Sequence, residues 1–165
     1  VACSLFGGDS EDWVGRGTGV TDEGLCLKAK VVREGMKANA SALSDPLEIL
    51  RCLGGREMVA MVGAISRARS LRIPVILDGF ICSASAAVLE KYKSGSLDHC
   101  VAGHLSSEGA HSKILEQLNK KPLLDLNLRL GEASGGALAI NIIKSALACH
   151  SGMATFEEAA VSEKS

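Results

Sequence analysis

Apolar residues recur at helical spacing in several stretches of the chain, and clusters of turn residues separate these stretches. In the first stretch Leu25 and Val32 fall on one side of a helix. Asp22 and Asp45 stand where an N-cap residue is expected, and Pro46 suits the first position of a helix. The pattern predicts helices over residues 21–36, 46–53, 56–69, 83–93, 107–118 and 134–150, and a short, frayed helix from Met153 onward.

Short continuous apolar runs alternate with these helices. The runs over residues 73–77 and 99–102 each end at a turn that contains glycine, and a helix connects them. This order predicts two parallel strands in a βαβ unit. Residues 123–130 are predicted either as a further strand or as an irregular segment. The sequence therefore predicts an α/β fold with a mainly parallel sheet and helices on both faces.

Composition narrows the class of protein. The chain has 165 residues, which is the size of one domain, and 47% of them are apolar but only 3% are aromatic. Aliphatic side chains must therefore fill the core. The formal net charge of -1, with few aromatic residues, argues against nucleic acid as a partner. No apolar run approaches the ~20 residues needed to cross a bilayer, so we expect a soluble protein with no membrane partner.

The six cysteines lie far apart in the sequence, and none forms a C-x-x-C pair. Their neighbours are apolar or small, as is typical of buried free thiols. We therefore predict no disulfide and no structural zinc site, and a reducing compartment, the cytoplasm. The first residue is Val1, without a signal sequence after it, which suggests that the chain was cut from something longer.

Ligands of open parallel sheets bind at the carboxyl ends of the strands, which directs attention to three loops. These loops cover residues 78–80, 103–108 and 131–136. A fourth candidate is the segment 14–19, where three alternating glycines would let a phosphate approach the backbone. Because it lacks the spacing of a dinucleotide fingerprint, an ordinary surface turn is equally compatible with this segment.

Several single residues have a purely structural interpretation as well as a functional one. Glu132 stands at the entrance to the last long helix, where a carboxylate is either a simple capping group or a functional anion. Lys28 taken alone is typical of a solvated helix lysine. His99, His104 and His111 do not have the spacing of common metal ligands, so no metal site is predicted.

Several strings of residues, in this order and at these separations, resemble one family, the nicotinate-nucleotide-dimethylbenzimidazole phosphoribosyltransferases of cobalamin lower-ligand synthesis. The resemblance covers nearly the whole chain. The strings are Val14-Gly15-Arg16-Gly17-Thr18-Gly19, Asp22-Glu23-Gly24-Leu25 with Lys28, Asp45-Pro46-Leu47-Glu48, Leu53-Gly54-Gly55, Ile73-Pro74-Val75-Ile76-Leu77-Asp78-Gly79-Phe80, His104-Leu105-Ser106, Leu130-Gly131-Glu132 and Met153-Ala154-Thr155-Phe156-Glu157-Glu158-Ala159.

The resemblance implies a three-layer α/β/α, Rossmann-like fold, a homodimer, and a pentosyltransferase that needs no metal or other cofactor. It implies transfer of the phosphoribosyl group of nicotinate mononucleotide to 5,6-dimethylbenzimidazole, which gives alpha-ribazole phosphate and nicotinate. By match to the family's motifs, Glu132 is expected to be the catalytic base that accepts a proton. Leu130 is expected to form part of the pocket wall against the benzimidazole. The expected nucleotide-binding residues are Gly17, Lys28, Gly79, Ser106 and Gly131.

The chain also departs from the family pattern. Ala133 follows the glutamate where the family often has glycine, and Gly109-Ala110 replaces a common Pro-Gly before His111. Family members are roughly twice as long, so residues 1–165 resemble one α/β domain from the C-terminal half, which by itself is expected to be inactive. Two alternatives stay open, a catalytically silent half-domain that binds a nucleotide or partner chain, and an unrelated nucleotide-using α/β enzyme.

Overall fold

The computed structural model describes residues 1–16 and 20–162. Its helices and strands alternate through the second half of the chain, as the sequence pattern predicts. The helices are α1 (Ala2–Phe6), α2 (Asp22–Ala38), α3 (Pro46–Leu53), α4 (Arg56–Ser70), α5 (Phe80–Tyr92), α6 (Gly109–Gln117) and α7 (Ser134–Gly152), with short 3-10 helices at Ser10–Trp13 and Ala40–Ala42. The strands are β1 (Val75–Leu77), β2 (Cys100–Ser106) and β3 (Pro122–Leu128).

The three strands form one parallel sheet in the order β1-β2-β3. In its register Leu77 pairs with Ala102, and Ala102 pairs with Pro122. The prediction of two parallel strands around residues 75–77 and 100–102 is confirmed. The segment that the sequence left open is a strand, with an irregularity in its pairing between Leu105 and Ser106.

The two faces of the sheet are covered by different helices. Successive side chains of a strand point to opposite faces. In β2, Cys100 belongs to the main buried cluster together with Ala86 of α5 and Ile114 of α6. Gly103 points to the other face, where a methyl group on it would lie 3.1 Å from the Gly136 Cα of α7. Helices therefore flank the parallel sheet on both faces, which confirms the predicted α/β fold class.

The helix α7 rests on the sheet through small residues. Gly135, Gly136 and Ala139 are its buried residues. Its other side is apolar and exposed, with Leu147 reaching 62% exposure. In the described part of the chain, this helix therefore contributes little aliphatic packing, and its contact with the sheet depends on close backbone approach.

Several local predictions need correction. The N-cap of α2 is Thr21, whose hydroxyl accepts a hydrogen bond from the Gly24 amide at 3.3 Å, and not Asp22. Asp45 does cap α3, because its carboxylate accepts from the Leu47 amide at 2.7 Å. Helix α5 begins three residues earlier than predicted. Residues 156–160 form turns and not the predicted short helix. The Ala159 amide donates to the Thr155 carbonyl at helical spacing, but the next two amides bond to carbonyls three and five residues earlier, so no regular helix continues.

All six cysteines are free, but their burial is uneven. Cys3 and Cys100 are buried as expected, whereas Cys26 and Cys149 are exposed. Burial raises the pKa of the Cys100 thiol to about 11, so this thiol is protonated at neutral pH. Among residues 1–16 and 20–162, no helix has both the length and the apolar character needed to cross a membrane.

Candidate functional site

An open cleft of about 270 Å³ lies at the carboxyl ends of β1 and β2. Three segments line it together with Met61 of α4: the start of α5 after β1, the end of β2 with the loop after it, and the turn before α7. Its lining includes Asp78, Gly79, His104, Ser106, Glu108, Arg129, Gly131 and Glu132. This is the edge at which parallel sheets bind ligands.

The wall formed by β2 rests on a buried histidine of α6. The Ser106 amide donates to His111 Nδ1 at 2.9 Å, so the proton of the neutral ring is on Nε2. That nitrogen lies 3.1 Å from Ser83 Oγ and donates to it. Burial, and then the nearby His104, lower the pKa of His111 to about 4. His111 is therefore neutral near pH 7. One of its hydrogen bonds holds the Ser106 backbone, and the other, to Ser83, fixes the orientation of the ring.

Two polar side chains meet between this wall and α7. Asp78, directly after β1, accepts a hydrogen bond from the Gly136 amide at 2.8 Å. The same Oδ1 lies 3.3 Å from His104 Nε2, and the His104 side chain is only 4% exposed. Asp78 therefore connects the ends of two strands with the first turn of α7.

The third segment of the cleft is a turn of three left-handed residues. Gly131, Glu132 and Ala133 have φ values of 80°, 54° and 59°. Glycine adopts this conformation freely, whereas other residues do so at a cost of about 1 kcal/mol or more. Among the described residues no hydrogen bond to the Glu132 carboxylate is formed, and the Ser134 amide donates instead to the Gly131 carbonyl at 3.0 Å. Glu132 thus presents a free, exposed carboxylate at the cleft. Its side chain does not cap α7, although its position in the sequence would allow this.

The structure brings together some of the site residues predicted from the sequence. Gly79, Ser106, Gly131 and Glu132 line the one cleft although 53 positions separate the first from the last. Leu130 is next to the cleft but is not among the residues that line it, and it is 80% exposed.

Gly15, at the start of the glycine-rich segment, and Lys28 lie beside the cleft. Lys28 projects from α2 and donates through Nζ to the Gly15 carbonyl at 3.0 Å. A methyl group on Gly15 would lie 3.7 Å from Glu108 Cδ, which places this end of the loop against the cleft lining. The predicted residue Gly17 lies outside the described residues. Lys28 therefore contacts the loop and not the cleft lining itself.

Sequence reasoning missed the polar residues that support the site. It placed His104 in the candidate loop 103–108 but considered a chemical role for His104 and His111 only as metal ligands. In the described residues no group of three or more His, Cys, Asp or Glu side chains could hold a metal ion. The position of His104 near the carboxyl end of β2 was the available signal, because polar residues at that end of a buried strand are well placed to support a ligand site. Asp78 lies in the candidate ligand loop 78–80, but its hydrogen-bond partner Gly136 is distant in the sequence.

Comparison with known proteins identifies the family. A family model described as phosphoribosyltransferase matches residues 1–161. The nicotinate-nucleotide-dimethylbenzimidazole phosphoribosyltransferase of Jannaschia sp. strain CCS1 is 63% identical over 161 residues, which are 98% of this chain and 48% of that protein. The enzyme of the same name from Ruegeria pomeroyi is 64% identical over 163 residues, 99% of this chain and 48% of that protein.

Solved structures agree with these matches. CobT from Thermus thermophilus superimposes with a TM-score of 0.87 at 41% identity, over 99% of this chain and 48% of that one. The chain thus spans about half the length of the relatives it matches. At this identity over nearly all of its residues, the chain belongs to the nicotinate-nucleotide-dimethylbenzimidazole phosphoribosyltransferase family.

Proposed function

We propose that this chain is an α/β domain of an enzyme that transfers the phosphoribosyl group of nicotinate mononucleotide to 5,6-dimethylbenzimidazole, giving alpha-ribazole phosphate and nicotinate. The observation that carries the proposal is the free carboxylate of Glu132 at the mouth of the cleft. The names of the relatives, at 63% and 64% identity, support the same reaction. We further propose that the enzyme acts as a homodimer in the cytoplasm.

The reaction asks little of the protein beyond positioning and one base. The bond between ribose C1′ and the nicotinate nitrogen breaks, and its electron pair neutralises the positive ring nitrogen of the leaving group. A benzimidazole nitrogen forms the new bond to C1′. The proton on its other nitrogen becomes acidic as charge builds, and Glu132 accepts it. A carboxylate is sufficient because the donor becomes strongly acidic during bond formation.

The walls of the cleft suit the phosphoribosyl group. Gly79 and Gly131 expose backbone without side chains, and Ser106 supplies a hydroxyl that accepts a hydrogen bond from the Glu108 amide at 3.3 Å. We propose that these residues, with Gly17 of the glycine-rich segment and Lys28 of α2, hold the nucleotide, and that Leu130 contributes apolar surface against the benzimidazole. The exposure of Leu130 is compatible with a contact that forms only when the base is bound.

The decisive experiment is Glu132→Gln, made in the complete gene product that contains these residues. We expect binding of nicotinate mononucleotide to be unchanged and transfer to fall by roughly 10²-fold or more, because the amide cannot accept the proton. Glu116→Gln, which changes an exposed carboxylate of α6 away from the cleft lining, is the matched control and should keep full activity.

Two results would contradict the proposal. Full transfer by a folded Glu132→Gln protein would remove this residue from the chemistry and leave it as a charge near a helix end, worth about 1 kcal/mol or less of stability. A wild-type protein that binds nicotinate mononucleotide but transfers nothing would favour the alternative of a catalytically silent nucleotide-binding domain.

A further inference from the structure

The first turn of α7 is capped by a residue from a different part of the chain. An α-helix leaves its first amides without partners, and a side chain just before the helix usually accepts from one of them. Here the preceding residue is Ala133, which has no polar side chain. The Gly136 amide donates instead to Asp78 Oδ1, across 58 positions of sequence. The start of α7 is thus tied to the end of β1.

The buried ring of His104 completes this attachment. Its Nε2 lies 3.3 Å from the same Asp78 oxygen. A methyl group on Gly135 would overlap the His104 ring, so the first turn of α7 lies directly against that ring. Within the described residues His104 Nδ1 is buried without a hydrogen-bond partner. The contact with Asp78 is therefore the one polar contact that orients the imidazole in this part of the chain.

The turn that carries Glu132 joins directly to this attached helix. Glu132 and Ala133 have φ values of 54° and 59°, which residues other than glycine rarely adopt. Such a conformation persists where the surrounding structure imposes it. Within the turn, the Ser134 amide donates a hydrogen bond to the Gly131 carbonyl. Another constraint is the position at which α7 begins, where the Gly136 amide bonds to Asp78.

We propose that Asp78, held against His104, is a positioning residue that fixes the first turn of α7 and thereby directs Glu132 into the cleft. This inference rests on the proposed function, because it assigns Asp78 to the support of the same base. The carboxylate acts through the Gly136 amide and does not exchange a proton with the substrate. Its loss should reduce the rate of transfer more than the binding of the nucleotide.

The experiment compares Asp78→Ala with Asp78→Asn in the complete gene product. Alanine removes the acceptor for the Gly136 amide, whereas asparagine keeps an oxygen in the same place. We expect kcat to fall about 10-fold or more in Asp78→Ala with KM for nicotinate mononucleotide within about 3-fold of wild type. Asp78→Asn should recover at least about a third of the wild-type kcat, since its amide oxygen can accept the same bond.

A second cap in the same chain provides a matched control. Asp45 accepts from the Leu47 amide and caps α3, which contributes nothing to the cleft lining. Asp45→Ala therefore removes an equivalent cap and should leave kcat unchanged. Hydrogen exchange gives a readout that does not require activity, because the amides of residues 134–137 should exchange about 10-fold faster in Asp78→Ala and at the wild-type rate in Asp45→Ala.

The possible outcomes separate this inference from the proposed function. An Asp78→Asn protein as inactive as Asp78→Ala would show that the charge, and not the acceptor oxygen for the Gly136 amide, is required, and it would overturn the positioning role. Wild-type kcat in Asp78→Ala, or an equal loss in Asp45→Ala, would overturn it as well. If Asp78→Ala does not fold, Asp78→Ser replaces it. A wild-type protein without transfer would refute only the proposed function, and the exchange rates would still decide whether Asp78 holds α7.

Discussion

Ser106 and Glu132 line the same cleft, but they are supported in different ways. The Ser106 backbone is held by His111, a fully buried side chain with a partner on each ring nitrogen. Glu132 is exposed, forms part of a left-handed turn, and depends on Asp78 for the position of the helix that follows. One side of the cleft is thus fixed by its own buried surroundings, whereas the other relies in part on a hydrogen bond to Asp78, which is distant in sequence.

Under the proposed function, this difference corresponds to a division of labour, with substrate binding on the Ser106 side and proton transfer on the Glu132 side. A group that only binds substrate can be fixed by burial, because it has no need to move a proton. A carboxylate that accepts a proton must remain accessible to the substrate, so its support has to come from neighbouring residues. We therefore expect changes on the His111 side to affect mainly stability, and changes on the Glu132 side to affect mainly rate.

The largest expected effect is the acid sensitivity caused by His111. Burial and the nearby His104 lower its pKa to about 4, against the effect of Asp78, while the ordinary pKa of a histidine, which applies to the unfolded chain, is 6.5. The unfolded state therefore binds more protons between these values, and the stabilising contribution present above pH 6.5 is lost as the pH falls towards 4. The loss should reach up to about 3 kcal/mol.

Urea unfolding at several pH values measures this dependence. His111→Gln cannot titrate, so the stability of that variant should fall less steeply between pH 6.5 and pH 4. Equal slopes for wild type and His111→Gln would show that His111 is not the group that titrates. The buried support of Ser106 would then need another explanation.

A smaller effect is expected from the partner of His111. Ser83→Ala removes the hydroxyl that accepts from Nε2 and leaves a buried donor unsatisfied, at a cost of about 1–3 kcal/mol. Ser85 on the same helix is the matched control, because it is equally buried but donates only to the Ile81 carbonyl at 2.9 Å. Ser85→Ala should cost about 1 kcal/mol or less.

Chemical denaturation of both variants tests whether the hydrogen bond to His111 or simple burial of a hydroxyl matters. The two serines are fully buried, so any general effect of removing a hydroxyl should be shared. Equal losses in Ser83→Ala and Ser85→Ala would indicate that the contact with His111 contributes no more than a bond to a helix carbonyl.

The sequence was a good guide wherever the cause of a structure is local. The apolar run before Asp78 predicted β1, and Asp45-Pro46 predicted the start of α3, because strand burial and helix capping act over a few residues. The error at the start of α2, where Thr21 and not Asp22 is the N-cap, arises because either of these neighbouring residues could cap the helix.

The supports of the site could not be predicted in this way, because their partners are distant in sequence. Nothing near Asp78 indicates that it caps a helix beginning at Ser134, and nothing near His111 indicates that Ser83 accepts a hydrogen bond from it. The left-handed conformation of Ala133 was also hidden, since alanine has no local preference for it. The sequence showed only that Ala133 stands where the family that the chain resembles often has glycine.

That residue gives the smallest and most direct test of the exposed side of the cleft. Ala133 has a φ of 59°, a conformation that a Cβ atom makes unfavourable by about 1 kcal/mol or more. Ala133→Gly removes this strain and also adds freedom to the unfolded chain, which offsets part of the gain. We expect a net stabilisation of about 0.5–1 kcal/mol.

Ala146→Gly, at an exposed position within α7, should instead destabilise the protein by about 0.5–1 kcal/mol. Opposite signs in urea unfolding would establish that the turn is strained in solution, whereas destabilisation by both changes would show that Ala133 does not adopt the left-handed conformation there.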